Sequence, residues 1–452
     1  MKILRAFSAL SLTLLSCSMP PAQAEPLDGR GEGDLSRFQF GDSLNSYGIQ
    51  TSMLLDVGFS RNNRSNQDER DDGLSNTPVA GQSDEGVELR SLHLFLEKPV
   101  KSNLIPRITP LPGPSPDEFS FGFSSEMLYG RNAQFARTTG WDQHWGINSP
   151  GDDDAESAKR HRQNFFAIPN LFATAYMPYG PGLTLWAGIF GPALGYEIPP
   201  NVRDSRNTFA SKTYAFISEP GTVAGVMAGT RLYSGGAGIV GAELGLVQGW
   251  NNLRDNNDNL SVNGALRWRS PDMSTWVDYE FIAGNEQNDS FSDVQAPTSR
   301  LVSARGQLKQ EHSLNGWHAF NDQWSMGAEL VYGRQDGDGR LDTVDIITGP
   351  GFSGAKWWGA NAVATYQYKK NLAFSARAEH FDDKDGFILF PSSLARGSIN
   401  AVTLGSRYDL SRNISLRPEI RYDWQSESND KALGSGRNQS QLTWQIEALV
   451  YF

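Results

Sequence analysis

The chain has 452 residues, with 40 Lys+Arg against 51 Asp+Glu, one Cys, 11% aromatic residues and a mean hydropathy of -0.45. Beyond its N-terminal segment it holds no run of about 20 apolar residues, which excludes a polytopic helical membrane protein. A net charge of -11 argues against a nucleic-acid partner, since no domain-wide basic excess can displace counterions from phosphates, while 38% hydrophobic residues and 46 Gly argue against disorder.

Residues 1–24 read as an export signal: Lys2 and Arg5 form a positive start, Ala6 to Ser16 an apolar middle, and Ala22-Gln23-Ala24 a small-residue cleavage site. The alternative is lipoprotein processing at Leu14-Leu15-Ser16-Cys17. Cleavage after Ala24 removes the only Cys, so the mature chain enters an oxidising compartment without disulfides. Residues 25–46 are expected to form a periplasmic segment, and 47–452 the folded body.

From Tyr47 onward the sequence breaks into segments of alternating apolar and polar residues, each bounded by turn residues. Sixteen strands are predicted. The first eight are 47–60, 87–98, 119–129, 168–177, 183–190, 222–232, 238–249 and 261–269. The second eight are 274–282, 300–311, 324–333, 356–366, 372–382, 398–408, 414–424 and 440–452. Links after even-numbered strands are tight, as in Ser234-Gly235-Gly236-Ala237 and Lys369-Lys370-Asn371, whereas links after odd-numbered strands are long and polar. The proline-rich link 99–118 is the misfit on the short-turn side.

The alternation assigns two faces. Val240, Ala242, Leu244 and Leu246 oppose Gly241, Glu243 and Gly245, and Ile414, Leu416, Ile420 and Tyr422 oppose Arg417, Glu419 and Arg421. Aromatic residues near predicted strand ends, including Trp268, Trp276, Trp324, Trp357, Tyr366, Tyr408, Tyr422 and Trp424, suit headgroup girdles. The last strand alternates Leu442, Trp444, Ile446, Ala448, Val450 and Phe452 with Thr443, Gln445, Glu447 and Tyr451, and ends in Phe like outer-membrane assembly signals. Together these features predict an all-β, transmembrane, antiparallel up-and-down barrel of about 16 strands, with short periplasmic turns and long extracellular loops.

Asn170-Leu171-Phe172-Ala173-Thr174-Ala175-Tyr176, followed by Trp186-Ala187-Gly188-Ile189-Phe190-Gly191-Pro192-Ala193-Leu194-Gly195-Tyr196-Glu197, resembles the OmpL-like family of β-barrel outer-membrane porins. Phe216-Ile217-Ser218-Glu219-Pro220-Gly221-Thr222 and Gly245-Leu246-Val247-Gln248-Gly249-Trp250-Asn251 continue the likeness, which is carried by residues 45 to 290. The resemblance implies location and architecture more strongly than a solute.

No enzyme signature stands out. The six His, at 93, 144, 161, 312, 318 and 380, form no HExxH and are expected to be solvated or lumenal, and no Gly-x-Ser-x-Gly elbow is present. Asp336-Gly337-Asp338-Gly339-Arg340-Leu341-Asp342 imitates a calcium loop but puts Arg340 at a ligand position, so a solvated loop is expected. Neither metal nor cofactor is implied. For a channel, the residues of interest are inward charges and any loop narrowing the lumen. Alternation turns Arg377, Arg407, Arg417 and Arg421 inward on strands thirteen to fifteen, and Glu243, Asp278 and Glu280 inward on strands seven and nine. These sets either face each other as basic and acidic walls across the lumen or pair locally across strands. The long link 191–221, with Glu197, Arg203, Asp204, Arg206 and Lys212 among apolar residues, is the candidate constriction by analogy with sixteen-stranded porins.

The functional expectation is a Gram-negative outer-membrane porin for passive diffusion of small hydrophilic solutes. Expected partners are lipopolysaccharide, phospholipid and the barrel-assembly machinery through Phe452, with a homotrimer by analogy. The alternatives are a plugged barrel acting as adhesin or receptor, and an exported soluble β-sandwich.

Overall fold

The structure is a computed structural model that describes residues 44, 46–63, 86–142, 165–198, 207–254, 257–286, 306–337, 353–389, 396–411, 413–426, 431–433 and 438–452. The proposed signal and nearly all of the N-terminal segment lie outside them. The strands are β1 (Gln50–Asn62), β2 (Gly86–Lys98), β3 (Ser120–Gly130), β4 (Phe165–Met177), β5 (Leu183–Phe190), β6 (Val223–Gly235), β7 (Gly238–Val247) and β8 (Ser261–Arg269). They continue as β9 (Thr275–Asn285), β10 (Leu308–Ala319), β11 (Trp324–Asp336), β12 (Gly354–Lys369), β13 (Leu372–Asp383), β14 (Gly397–Asp409), β15 (Ile414–Ser426) and β16 (Ser440–Tyr451).

Each strand pairs antiparallel with its sequence neighbours, and β1 pairs with β16 to close the ring, so no sheet edge is left unbonded. Phe452 completes the seam by exchanging backbone hydrogen bonds with Met53 at 2.9 and 3.2 Å. A strand such as β1 has 13 residues. At about 3.3 Å per residue and a tilt of roughly 40°, that length covers about 30 Å, the thickness of a hydrocarbon core.

Polarity is inverted relative to a soluble protein. Leu244, Leu246, Leu330, Leu404 and Ile420 are exposed on the outer face, while Glu243, Asp278, Glu311, Arg267 and Arg421 are buried inside. The outer row is a lipid surface, and Trp324 against Tyr366 and Tyr422 against Trp424 form ring contacts on it. A bulge opposite Asp56/Val57 lets β2 point both Arg90 and His93 inward despite their odd separation.

Three expectations are corrected. The tenth strand runs from Leu308 to Ala319 rather than over 300–311. Its outer row mixes Leu308 and Leu314 with Gln310, His312 and His318, which blurs the apolar signal that marks the other strands. His312 and His318 therefore face outward, as does His380, which packs on Trp358; His93 alone among these four lies buried in the lumen, and His144 and His161 lie outside the described residues. Trp276 and Trp357 leave the girdle for the interior: Trp276 stacks on Tyr196 at 5.6 Å, and Trp357 donates its indole N–H to Glu311 at 2.6 Å. Trp357 is buried near one strand end and Trp276 half-buried near another, so position along the strand alone did not reveal their parity.

Candidate channel lumen and constriction

The link after β5 folds into the barrel. Its first stretch, 191–198, sends the Ala193 amide to Asn263 on β8 at 3.1 Å and the Tyr196 amide to Glu329 on β11 at 2.9 Å. Its second stretch carries a single helical turn, α1 (Tyr214–Ser218), capped by Thr213, whose hydroxyl accepts from the Phe216 amide at 3.2 Å. Glu197 joins the two stretches by accepting from the Thr213 amide at 2.8 Å. Arg203, Asp204 and Arg206 lie outside the described residues.

The far wall holds this loop through charged groups. The Ala210 amide donates to Glu419 at 2.7 Å, the Tyr214 amide to Glu379 at 2.8 Å and the Tyr214 hydroxyl to Asp423 at 2.5 Å. Arg377 reaches Glu197 at 2.7 Å and the Ser211 carbonyl at 2.9 Å, Arg417 the Asn207 carbonyl at 2.7 Å, and Arg421 the Lys212 carbonyl at 3.0 Å. Arg377 also covers Phe209 and Arg421 covers Tyr214, each about 5 Å from the ring centre (4.9 Å), so these guanidinium planes gain stacking as well as hydrogen bonds. Lys212 is buried with its ammonium 5.7 Å from the Phe216 ring. Apolar residues finish the anchorage: Tyr214, Phe216 and Ile217 pack with Val331, Trp357, Phe381 and Phe387.

Alternation placed the strand charges on the inner wall, and the structure adds their pairing. Arg417 lies 2.6 Å from Glu447, and Arg421 lies 2.8 Å from Glu379 and 2.7 Å from Asp423. Arg407 stands apart near the short-turn end of β14, half-buried, 3.0 Å from Asp409. Glu243, Asp278 and Glu280 surround Arg267, at 3.1, 2.6 and 2.6 Å, and Asp278 also binds Arg269. The register explains this, since Arg267 pairs directly with Asp278 while Ala265, two residues along, sits between Glu243 and Glu280. Of the two arrangements open to these charges, the described residues adopt local pairing: no separate acidic wall faces a separate basic one.

Strand alternation alone did not single out Arg90, which lies 3.1 Å from Glu88 and 3.5 Å from Glu447, or Arg269. Glu88 and Arg90 do alternate with Val87 and Leu89, so the signal was present in β2. Arg107, from the proline-rich link, also reaches the lumen and donates to the Gly191 carbonyl at 2.9 Å. Among the described residues, no three His, Cys, Asp or Glu are grouped to hold a metal ion.

A closed ring of sixteen antiparallel strands with a polar interior and an inserted loop after the fifth defines the porin class of barrel. The chain belongs to the family described as "Putative beta-barrel porin-2, OmpL-like", whose model matches residues 48–452. The fold is similar to OmpF of Salmonella typhi in complex with daunomycin, at 11% identity and TM-score 0.51, covering 89% of this chain and 97% of that one. It is also similar to the outer membrane channel DcaP of Acinetobacter baumannii, at 10% identity and TM-score 0.50, with 89% and 97% covered. An anion-selective porin from Comamonas acidovorans matches with 11% identity, TM-score 0.49, and 89% and 99% covered. No curated protein matches the chain in sequence.

Proposed function

We propose that this porin sits in a Gram-negative outer membrane and passes small hydrophilic solutes passively, without cofactor or chemical step. The observation that carries the reading is the constriction loop, seated inside a charged lumen and held by Arg377, Glu419 and Arg421. Arg377, Arg407, Arg417, Arg421, Glu243, Asp278 and Glu280 line the pathway, and Glu197 and Lys212 shape its narrowest part. Because the strand arginines stand beside carboxylates, ion selectivity is weak and discrimination rests on size and polarity.

On this reading the long links face outward and the short turns face the periplasm. Lipopolysaccharide and phospholipid cover the exposed leucines, the C-terminal strand ending in Phe452 engages the assembly machinery, and three copies associate. The test is conductance of the purified protein in planar bilayers, followed by liposome swelling with sugars, amino acids and organic acids. Discrete channels with swelling that falls as solute size rises are expected. A folded, heat-modifiable barrel that neither conducts nor swells vesicles would replace the channel with a plugged receptor.

A further inference from the structure

The proline-rich link between β2 and β3 stands on the rim where every other described link is a tight turn, and it folds into the barrel. Leu104–Ile105 and Thr109–Pro110 pair as a miniature hairpin. Its turn, Ile105-Pro106-Arg107-Ile108, is closed by the Ile108 amide donating to the Ile105 carbonyl at 3.1 Å. Proline suits the second position of such a turn, but the third requires positive φ and favours glycine. Arg107 occupies it at φ 63°. A non-glycine residue in that region is strained and marks a place where the side chain matters more than local comfort.

The surroundings of Arg107 show what the side chain does. Its amide donates to Glu243 at 2.6 Å, and its guanidinium donates to the carbonyl of Gly191, the first residue of the constriction loop, at 2.9 Å. The guanidinium also lies 5.2 Å from the centre of the Phe172 ring and 5.9 Å from that of Phe190. The rest of the hairpin is fastened to the wall. Arg269 donates to the Thr109 hydroxyl at 2.8 Å and the Ile108 carbonyl at 2.6 Å, and Arg231 to the carbonyls of Leu111 and Gly113 at 2.6 Å each. Ser102 and Thr184 share a hydroxyl bond of 2.6 Å, and Tyr176 donates to the Pro116 carbonyl at 3.0 Å. Leu104 is fully buried in an apolar cluster with Trp186, Phe190, Leu194 and Met227, which includes residues of the constriction loop.

We propose that residues 99–119 form a second constriction, entering the lumen from the short-turn rim along β4 to β8, and that Arg107 latches it to the root of the first. The two insertions share the lumen: the first reaches from β8 across to β15, and the second packs on β4 to β8. The size limit of the pathway is set between them, so Arg107 is a size-determining residue of the channel. The inference rests on the channel reading above.

The test compares the full chain, a variant with 102–116 replaced by a short Gly–Ser turn, and Arg107→Gly, which keeps the turn geometry and loses the latch. Single-channel conductance in planar bilayers and the solute cut-off in liposome swelling are measured on protein with a heat-modifiable band. The expected result is a roughly twofold or greater rise in conductance and a higher cut-off in the deletion, with flicker between the two levels in Arg107→Gly, as removal of pore-lining bulk requires. A hydroxyl contact as short as that between Ser102 and Thr184 brings the two Cβ atoms near disulfide range, so S102C/T184C added to Arg107→Gly, when oxidised, is expected to abolish the flicker and reduction to restore it. That arm keeps the question answerable if the deletion does not fold. Unchanged conductance and cut-off in a folded deletion, or absence of flicker in Arg107→Gly, would overturn the second constriction while leaving the channel standing. Silence of every folded form would overturn the channel itself, and a silent wild type beside a conducting deletion would make the hairpin a plug, overturning both passive conduction by the intact chain and the size-limiting role given to Arg107.

Discussion

Arg267 is the sharpest place to test the inner wall. Its side chain is fully buried and its guanidinium binds three carboxylates, those of Glu243, Asp278 and Glu280. In Arg267→Met, Asp278 keeps Arg269, while Glu243 retains the Arg107 amide and Glu280 the Asn315 amide, so two carboxylates lose the guanidinium they both contact. Removing one partner of a buried ion pair costs about 3–5 kcal/mol, because the other charge stays desolvated. A loss near 4 kcal/mol is a change of roughly a thousandfold in the folding equilibrium. The assay is urea-driven folding and unfolding in lipid vesicles, read by tryptophan fluorescence. Adding Glu243→Gln and Glu280→Gln to Arg267→Met removes the stranded charges and is expected to recover most of the loss. Arg334→Met, which breaks the half-exposed pair with Asp336, serves as control and is expected to leave stability unchanged within the error of the assay. A loss below about 1 kcal/mol in Arg267→Met, or no recovery on neutralising its partners, would refute the claim that desolvated pairing holds this wall.

Two further outcomes follow from the loop. Glu419→Ala removes the acceptor of the Ala210 and Ser211 amides and is expected to leave the barrel intact while speeding proteolysis within 207–213 and adding open-channel noise; equal cleavage rates and noise would show that the loop is held without it. Glu219 lies at the end of α1, where burial and then the neighbouring Glu329 and Glu311 raise its pKa well above the ordinary 4.5. A carboxyl with a raised folded pKa contributes stability below its unfolded value and loses it as pH rises through the folded one. Glu219→Gln should therefore match wild type near pH 4 and be the more stable of the two above neutrality; a constant difference across that range would contradict the assignment.

Strand parity was legible because each lipid-facing position must be apolar, so β5 and β8 were bounded correctly by alternation alone. The same rule failed at β10, where Gln310, His312 and His318 face outward and His312 satisfies itself on the Tyr279 hydroxyl at 2.9 Å. Inward placement of Arg377, Arg417, Arg421, Glu243, Asp278 and Glu280 could be read from period two. Their partners could not, because pairing depends on register between strands, and a slip of one residue would reverse it. Least legible was the link 99–119. Its prolines signalled irregular backbone, but its destination is fixed by Arg231, Arg269 and Glu243, residues far along the chain.

That dependence bears on the order in which the protein is made. The Ala210 amide and its acceptor Glu419 are separated by 209 positions, and Asn207 and Arg417 by 210. Contacts so distant in sequence cannot form until the intervening strands have joined the sheet. While β6 to β12 are being added, the loop can meet β8 and β11 through Ala193 and Tyr196, but its far wall is missing, because Arg377, Arg417 and Arg421 have not yet arrived. A partly zipped barrel would present a wide, unguarded opening. On the proposed channel reading the narrow aperture is consequently the last feature to mature, and a cell that releases the barrel before its final strands have closed would gain a leak rather than a pore.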